Sequence, residues 1–417
     1  MSTRLLYNIR QLVNTRMRSH PLRGAELAEL PVIDDAWLHL EDDRIAAFGA
    51  MDALPPDLRL LLGTDTALDV SGCLVLPAWV DSHTHLVFAG SRESEFVDKI
   101  KGLSYAEINA KGGGILNSAR RLAETSEDSL FAEAWQRLTE LTRLGTGAIE
   151  IKSGYGLTVE GELKMLRVIK KLRERSRVPI RATFLGAHTY PAAFRENHEG
   201  YIERIIGDML PAIAAGELAD YIDVFCEEGF FSPAETERIV RAGQQIGLTA
   251  KLHANQLHCS GGVEVGIRLG ALSVDHLESM NDAAITALAA SDTIGTLLPT
   301  AAFFLRMPFQ PARRLIDAGS RIALASDYNP GSSPSGNMNL VIAMACTGMR
   351  MLPEEAINAA TLNGAYAVSM GDQLGSITPG KMANLIITRP VPSLAYLPYA
   401  FGTNLVGRVL IRGEFIN

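Results

Sequence analysis

The sequence predicts an α/β protein in which a (β/α)8 barrel of the TIM type carries a small β-sandwich domain built from both termini. Three observations lead to this prediction. Eight short apolar runs alternate with helix-period segments through the middle of the chain. Polar residues suited to catalysis follow the ends of most of these runs, where a barrel places its chemistry. Both ends of the chain read instead as short strands separated by Gly, Pro and Asp.

The eight apolar runs lie between residues 74 and 327 and predict the barrel strands. They read LVLPAWVDSHTH, TGAIEIKSG, IRATFLGAH, YIDVFCEE, LTAKLHANQ, ALSVDHLES, TIGTLLP and RIALASD. Most of the connections show helical periodicity. In one of them a single helical face collects Leu130, Ala134, Trp135, Leu138 and Leu141. Eight strands with helical crossovers fit a barrel, because doubly wound sheets rarely run as long.

Strand-like segments at the two ends of the chain predict one composite domain. The N-terminal segments are LLYNIRQLV, AWLHL, RIAAFGA and ALDV, and the C-terminal tail continues the pattern with ANLIITR and GRVLIRGEF. We therefore predict a small β-rich domain from residues 1–75 and 375–417. The barrel domain is predicted to span residues 76–374.

The charge and composition disfavour a nucleic-acid partner. The net charge is −8 and charged residues make up 21%, without the basic stripe that nucleic-acid binding requires. A single Arg can still bind an anionic small molecule inside an acidic protein. Charges interrupt the N-terminal segment, so we expect no signal peptide. The longest apolar stretch, residues 296–309, is too short to cross a membrane.

The cysteines are widely spaced, which disfavours a disulfide scaffold or a zinc ribbon. They are Cys73, Cys226, Cys259 and Cys346, and none forms a C-x-x-C pair. We expect reduced, buried thiols in a cytoplasmic protein.

Histidines and one aspartate at strand ends predict a metal site. His83 and His85 end the first run, and alternation along a strand points both imidazoles to the same side. An H-x-H pair alone is more often a surface pair. With His253 and Asp327 at later strand ends, a metal site is the better interpretation, since three His and one carboxylate suit Zn²⁺, Fe²⁺ or Mn²⁺. Five of the nine histidines occupy strand-end positions, which scattered core histidines would not do.

Lys152 bears on the number of metal ions. Some hydrolases of this architecture bridge two metals with a carbamylated Lys, normally on the fourth strand. Here Lys152 ends the second run and Glu227 ends the fourth. One metal per chain is therefore predicted, with a structural or electrostatic role for Lys152.

Other polar residues at strand ends have two interpretations each. His276 is a fourth metal ligand or an acid, base or polarising group. His188 contacts substrate or only orients a neighbour through a hydrogen bond. Gln256 faces the substrate or lies on an exposed loop. Arg92, seven residues after His85, is a clamp for a substrate carboxylate or a solvated charge.

The glycines at 112–114 do not read as a phosphate loop. They follow no clear strand and lack the Lys-Ser/Thr of a Walker A motif. We predict a flexible loop over the site.

Segments across the whole chain resemble the imidazolonepropionase family of the metal-dependent amidohydrolase superfamily. They are DSHTHLVFAGSRESEF, AKGGGI, EIKSGYGL, TFLGAHTYP, DVFCEE, KLHANQL, DHLES, ASDYNPGSSP and GSITPGK. The H-x-H with a late Asp marks only the superfamily, whereas EIKSGYGL, FLGAH and SDYNPGS together are more specific.

The resemblance implies a ligand set and a reaction. One Zn or Fe ion would be bound by His83, His85, His253 and Asp327. Substrate contacts would come from Arg92, Tyr155, His188 and Gln256, and product contacts from Tyr155, Asn329, Gly331 and Ser332. The implied reaction hydrolyses the ring C–N bond of 4-imidazolone-5-propanoate to N-formimidoyl-L-glutamate, the third step of L-histidine degradation. A homodimer is compatible with the resemblance.

The chain departs from the family pattern at three positions. Gln256 stands where some members carry Glu, and a Gln cannot act as a base. Ala78 and Asn384 replace a usual Gly and Asp, and both are expected to lie away from the metal. For proton transfer we therefore predict His276, assisted by Asp327.

Two other functions stay open at this point. The same metal set serves a deaminase of an aminoimidazole, purine or pterin. A barrel protein with a degraded, non-enzymatic site is the second alternative, although all four ligand positions are intact.

Overall fold

Residues from both ends of the chain form one mixed sheet. The computed structural model describes residues 3–103, 107, 111 and 113–416. The terminal strands are β1 (Thr3–Val13), β2 (Val32–Glu41), β3 (Arg44–Ala50), β4 (Ala67–Asp69), β5 (Leu74–Pro77), β14 (Leu385–Thr388), β15 (Val406–Ile411) and β16 (Glu414–Phe415). Their order is β16-β15-β14-β5-β1-β2-β3, with β4 paired to β1. The predicted terminal strands are thus present, while the domain boundaries at 75 and 375 stay a prediction.

The first apolar run is divided between two sheets. Leu74–Pro77 pairs antiparallel with β14, whereas Trp79–Asp81 pairs parallel with the next barrel strand. The chain passes from one sheet to the other at Ala78, whose amide donates to the carbonyl of Asn384 at 2.9 Å. The Asn384 amide group in turn donates to the carbonyl of Gly147 at 2.7 Å. The two unusual residues Ala78 and Asn384 therefore join the sheets.

The middle of the chain forms an eight-stranded parallel sheet in sequence order. Its strands are β6 (Trp79–Asp81), β7 (Thr146–Lys152), β8 (Ile180–Ala187), β9 (Tyr221–Cys226), β10 (Thr249–Ala254), β11 (Ser273–His276), β12 (Ile294–Leu297) and β13 (Arg321–Leu324). Beyond the ends of β6 and β13, a parallel bridge joins Thr84 to Tyr328. The amide of Asp327 donates to the carbonyl of His83 at 3.0 Å. These bonds close the barrel, which confirms the predicted (β/α)8 fold.

Helices cover the outside of the barrel and the loops at its two ends. They are α1 (Pro56–Arg59), α2 (Glu93–Ile100), α3 (Ile115–Glu124), α4 (Glu127–Arg143), α5 (Val159–Arg175), α6 (His198–Arg204), α7 (Leu210–Gly216), α8 (Pro233–Gln245), α9 (Gly262–Arg268), α10 (Asp282–Ala289), α11 (Pro299–Leu305), α12 (Ala312–Asp317), α13 (Met338–Met349), α14 (Pro353–Ala360), α15 (Leu362–Tyr366) and α16 (Tyr396–Tyr399). Within the described ranges, none has the length and apolarity needed to span a membrane.

Helix α4 contains the apolar face that the spacing of residues 130–141 predicted. Its predicted apolar face is buried at Leu130, Ala134, Leu138 and Leu141. Trp135 is the exception, because its side chain lies at the edge of that face, 37% exposed, and stacks on Phe131. Trp135 thus shares the predicted helical spacing but does not join the core.

The cysteines are free thiols, as predicted, but only Cys226 is buried. Cys73 and Cys346 are partly exposed, and Cys259 is exposed on the loop after β10. The expectation that all four are buried was therefore wrong.

Candidate active site

Four side chains converge at the carboxyl end of the barrel. Nε2 of His83 and Nε2 of His85 each lie 3.5 Å from Oδ1 of Asp327. Nε2 of His253 lies 3.4 Å from Nε2 of His85. All four residues are no more than 2% exposed. The structure thus brings together the residues that the sequence predicted as metal ligands.

Two carboxylates fix the tautomers of this cluster. Nδ1 of His83 lies 2.7 Å from Asp275 Oδ2, and Nδ1 of His253 lies 2.9 Å from Asp223 Oδ2. A carboxylate only accepts, so Nδ1 carries the proton, and burial lowers the pKa of both imidazoles, which keeps them neutral. Each Nε2 is then left with a free lone pair, and among the described residues Nε2 of His83 has no hydrogen-bond partner.

These features fit a bound metal ion. A buried polar atom without a partner is costly, and neutral imidazoles oriented by carboxylates are the usual donors to Zn²⁺. The donor set of three nitrogens and one carboxylate oxygen suits Zn²⁺ or Fe²⁺.

Lys152 lies beneath the cluster in a buried ion network. Its Nζ is 2.8 Å from Glu150 Oε1, 2.9 Å from Asp223 Oδ2 and 3.8 Å from Asp275 Oδ2. Burial alone would lower the pKa of Lys152, but Asp223, Glu150 and Asp275 outweigh it and raise the pKa above its usual range. Lys152 is therefore an ammonium ion between the two carboxylates that orient the histidines.

His276 borders the same cluster from the end of β11. A nitrogen of its ring, a nitrogen of His83 and an oxygen of Asp327 lie within 4.8 Å of one another. Its Nδ1 lies 3.5 Å from Oε1 of Glu278, which also accepts from Nε2 of Gln310 at 2.9 Å. Burial alone would lower the pKa of His276, but the neighbouring carboxylates, first of all that of Glu278, outweigh burial, so that the pKa is raised above its usual value. Glu278 was not among the residues predicted from the sequence, although it follows His276 by only two residues.

The loop after β13 holds Asp327 in a left-handed conformation at φ 53°. Before it, Asp81 accepts from the amide of Ser326 at 2.9 Å and from its hydroxyl at 2.6 Å. After it, Asn329 donates to the carbonyl of Asp327 at 2.7 Å, and Ser332 donates to its carboxylate at 3.2 Å. Bonds on both sides therefore fix the direction of the carboxylate.

A cavity of about 680 Å³ opens beside the cluster. Its wall includes all seven residues that were predicted to contact substrate or product, namely Arg92, Tyr155, His188, Gln256, Asn329, Gly331 and Ser332. Aromatic and aliphatic side chains form the rest of its wall, including Phe96, Phe225, Phe230, Phe304 and Leu305. An apolar cavity with a few convergent polar groups is the usual form of a small-molecule site.

A buried carboxylate shapes the loop that carries Tyr155. Glu162 accepts from the amides of Gly154 at 3.0 Å, Gly156 at 2.7 Å and Leu157 at 2.9 Å. A side chain at Gly156 would meet the amide nitrogen of Glu162 at 2.2 Å, so only glycine fits there. Glu162 was overlooked in the sequence, because a Glu in the first turn of a helix usually faces solvent.

His188 and Gln256 both line the cavity. The ring of His188 stacks on His85 at a centroid distance of 5.2 Å, and its Nδ1 lies 3.0 Å from the carbonyl of Gly154. Burial, reinforced by His253, lowers the pKa of His188 to about 3. The neutral ring donates from Nδ1, which leaves Nε2 as an acceptor. Gln256 is only 8% exposed, so it is not an exposed loop residue.

Arg92 lines the cavity but already has an anionic partner. Its Nε and Nη2 donate to Oε2 of Glu95 at 2.9 Å and 2.5 Å. Oε1 of Glu95 accepts from the amide of Gly114 at 3.1 Å. Glu95 was overlooked in the sequence. Of the predicted glycine loop, Gly112 lies outside the described residues.

A model of the amidohydrolase family matches residues 74–415. Imidazolonepropionase from Flavobacterium johnsoniae is 56% identical over 413 residues, which cover 99% of each chain. Imidazolonepropionase from Christiangramia forsetii is 51% identical over 415 residues, 99% of this chain and 100% of that one. The chain belongs to the imidazolonepropionase family of amidohydrolases. An imidazolonepropionase-family chain is expected to carry a metal cofactor, and the convergent histidines and aspartate agree with this.

A solved structure supports the fold independently. An adenosine deaminase from Xanthomonas campestris with bound zinc superposes with a TM-score of 0.67 at 18% identity, covering 99% of this chain and 92% of that one. At this identity the likeness concerns the fold. This chain therefore shares its overall fold with that deaminase.

Proposed function

We propose that the chain hydrolyses the ring C–N bond of 4-imidazolone-5-propanoate and releases N-formimidoyl-L-glutamate, the third step of L-histidine degradation. The observation that carries this proposal is the identity of 56% to an imidazolonepropionase over 99% of both chains. The site agrees with this proposal. The buried cluster of His83, His85, His253 and Asp327, called the donor cluster below, lies beside a cavity of suitable size for a small ring. In this reaction the oxygen of water joins the ring carbonyl carbon, the C–N bond breaks, and the nitrogen takes up a proton.

One Zn or Fe ion held by His83, His85, His253 and Asp327 is part of this proposal. Such an ion supplies Lewis acidity, because it acidifies water and polarises a carbonyl oxygen. The neutral Nε2 atoms and the carboxylate of Asp327 are suited to hold it, and Asp223 and Asp275 keep the imidazoles oriented.

The cavity residues orient the ring. Nε2 of His188 is placed to accept a ring N–H, since its Nδ1 is engaged by Gly154. Burial raises the pKa of Tyr155 above its usual range, so the phenol stays protonated and donates. The amide of Gln256 completes the ring contacts. Asn329, Gly331 and Ser332 are proposed to contact the product.

Asp327 and His276 are the groups proposed to move protons. Asp327 lies in the donor cluster and accepts a proton from the attacking water. His276 borders it and polarises the attacked carbonyl or delivers the proton to the departing nitrogen. Gln256 does neither, because an amide has no titratable proton at neutral pH.

The test is product identification. The purified chain is incubated with freshly made 4-imidazolone-5-propanoate, and formimidoylglutamate is identified by mass spectrometry. A His83→Ala, His253→Ala double variant serves as the inactive control. Release of ammonia from a purine, pterin or aminoimidazole, without turnover of the imidazolone, would instead establish a deaminase. A cytoplasmic location and a homodimer stay predictions.

A further inference from the structure

Three cationic side chains line the candidate substrate cavity, namely Arg92, Lys99 and Arg306. Arg306 directly follows helix α11 and is exposed. Arg92 and Lys99 are partly buried, at the start and end of helix α2. Arg92 is the residue that precedes the first turn, and Lys99 lies seven positions later in the last turn, yet the side chains of both line the same cavity. Phe96, one turn after Arg92, lies between them in the cavity wall.

The charge of Arg92 is already balanced. Two of its nitrogens donate to a single oxygen of Glu95, and both side chains are nearly buried, at 12% and 8% exposure. Nε and Nη2 form one edge of the guanidinium, and this edge is occupied by Glu95 and is not available to a second carboxylate. Only Nη1 faces away, and it packs so closely on Gly331 that a Cβ there would meet it at 2.3 Å.

Lys99 borders the same glycine and has no such partner. Its Nζ donates to the carbonyl of Gly331 at 3.3 Å and lies 5.9 Å from the ring of Phe304. No carboxylate of the described residues forms an ion pair with it. Burial, and then the neighbouring Arg92, lower the pKa of Lys99, and Glu95 offsets only part of this. A partly desolvated cation that faces another cation is stabilised when an anion enters between them.

We propose that the ammonium group of Lys99 binds the propanoate carboxylate of the substrate, as the second cation of a subsite that Arg92 begins. The inference rests on the proposed function, because that substrate supplies the carboxylate. Nη1 of Arg92 packs against Gly331, and Nζ of Lys99 donates to the carbonyl of the same residue, so the two cations share one neighbour in the cavity wall. In this proposal the carboxylate is held by both cations beside Gly331. The apolar wall of the cavity strengthens the pair by excluding water.

The proposal is tested with Lys99→Met and two substrates, 4-imidazolone-5-propanoate and its neutral propanamide analogue. With the acid, kcat/KM should fall about tenfold to hundredfold, mainly through KM, since a charge-assisted bond is lost. The amide, followed by turnover or by its inhibition constant against the acid, should behave as with the wild type. Lys99→Arg should recover most of the activity on the acid. Lys101→Met, which removes an exposed cation just beyond the same helix, is the matched control.

Equal losses on the acid and the amide would overturn the proposal, because they would assign Lys99 a structural role through Gly331. Unchanged kinetics on the acid would overturn it as well. Failure of the wild-type chain to produce formimidoylglutamate would instead refute the proposed function, so the two failures are distinguishable.

Discussion

Nζ of Lys152 lies 2.9 Å from Oδ2 of Asp223, and the same oxygen lies 2.9 Å from Nδ1 of His253. The buried ammonium thus keeps Asp223 ionised, and the carboxylate keeps the proton of the imidazole on Nδ1. Lys152 therefore influences His253, a residue of the donor cluster, through the oxygen that both contact. A second carboxylate, Asp275, links Lys152 at 3.8 Å to His83 in the same way.

The first prediction is that Lys152→Met weakens metal binding. Loss of the ammonium leaves Asp223 without its lysine partner, whereas Asp275 keeps Lys251 at 3.9 Å. Protonation of Asp223 is then favoured, and Nδ1 of His253 loses the ionised acceptor that fixes its tautomer. Changes in groups that orient metal ligands typically cost about tenfold to hundredfold in metal affinity. Zinc affinity of the metal-free protein, measured by competition with a chelating dye, checks this.

The matched control for that experiment is Lys251→Met. Lys251 is equally buried, on strand β10, and its Nζ donates to the carbonyls of Ser82 and Ala367. It lies 3.9 Å from Asp275, which keeps Lys152 when Lys251 is removed, and it forms no ion pair with Asp223 among the described residues. Its loss should lower stability more than zinc affinity. If Lys152→Met does not fold, Asp223→Asn gives the same readout. Wild-type zinc affinity in the folded variants would show that the network has no influence on the donor cluster.

The second prediction concerns the number of metal ions. Elemental analysis of the purified protein should give about one ion per chain, since three nitrogens and one carboxylate complete a mononuclear site with an open position. Lys152 supports this count, because its ammonium is engaged by carboxylates and is not a bridging ligand. The His83→Ala, His253→Ala double variant should lose the ion. Two tightly held ions in the wild type, or full metal content in the double variant, would contradict the assignment.

The strand ends explain why the sequence predicted the donor cluster. Parallel strands of a barrel bring their carboxyl ends to one face, so His83, His253 and Asp327 had to meet once the runs before them were strands. Successive side chains of an extended chain point to opposite sides, so the H-x-H spacing alone predicted that His85 lies on the same side as His83. These residues were predictable because their positions depend on regular, local geometry.

Other features depend on pairings between distant segments and could not be predicted from local patterns. The division of the run LVLPAWVD follows from the pairing of Leu74–Pro77 with a strand three hundred residues later. Glu95 and Glu162 look like solvated helix residues in the sequence. They are buried only because Arg92 and the loop of Tyr155 fold against them. Carboxylates of this kind hold in place the residues that are predicted to contact the substrate.

The third prediction concerns Arg92. Arg92→Gln should lower kcat/KM for the acid substrate about tenfold to hundredfold, which corresponds to roughly 1.5–3 kcal/mol for one charge-assisted pair. The neutral amide analogue should lose less. Arg120→Gln, an exposed arginine on helix α3, is the control for a general loss of positive charge. Normal turnover of the acid by Arg92→Gln would place the carboxylate site elsewhere in the cavity.

The fourth prediction concerns His276 and separates the two roles that the sequence left open. His276 lies close enough to His83 and Asp327 to be a ligand, yet Glu278 and Gln310 form their own network behind its ring. This support suits a group that polarises a carbonyl or transfers a proton. Glu278 also raises the pKa of His276, which favours the protonated, donating form of the ring. His276→Asn should therefore keep the metal and the substrate affinity while kcat falls by roughly 10²–10⁴.

Glu278→Gln tests the contact between Glu278 and the imidazole of His276. It preserves the shape of the side chain and removes its charge, so kcat should fall less than in His276→Asn and metal content should stay at the wild-type level. Elemental analysis and steady-state kinetics on the same preparations provide both readouts. Loss of the metal in His276→Asn would make His276 a ligand, because no other group of the donor cluster is altered in that variant. Near-normal kcat in His276→Asn would leave proton transfer to Asp327 alone.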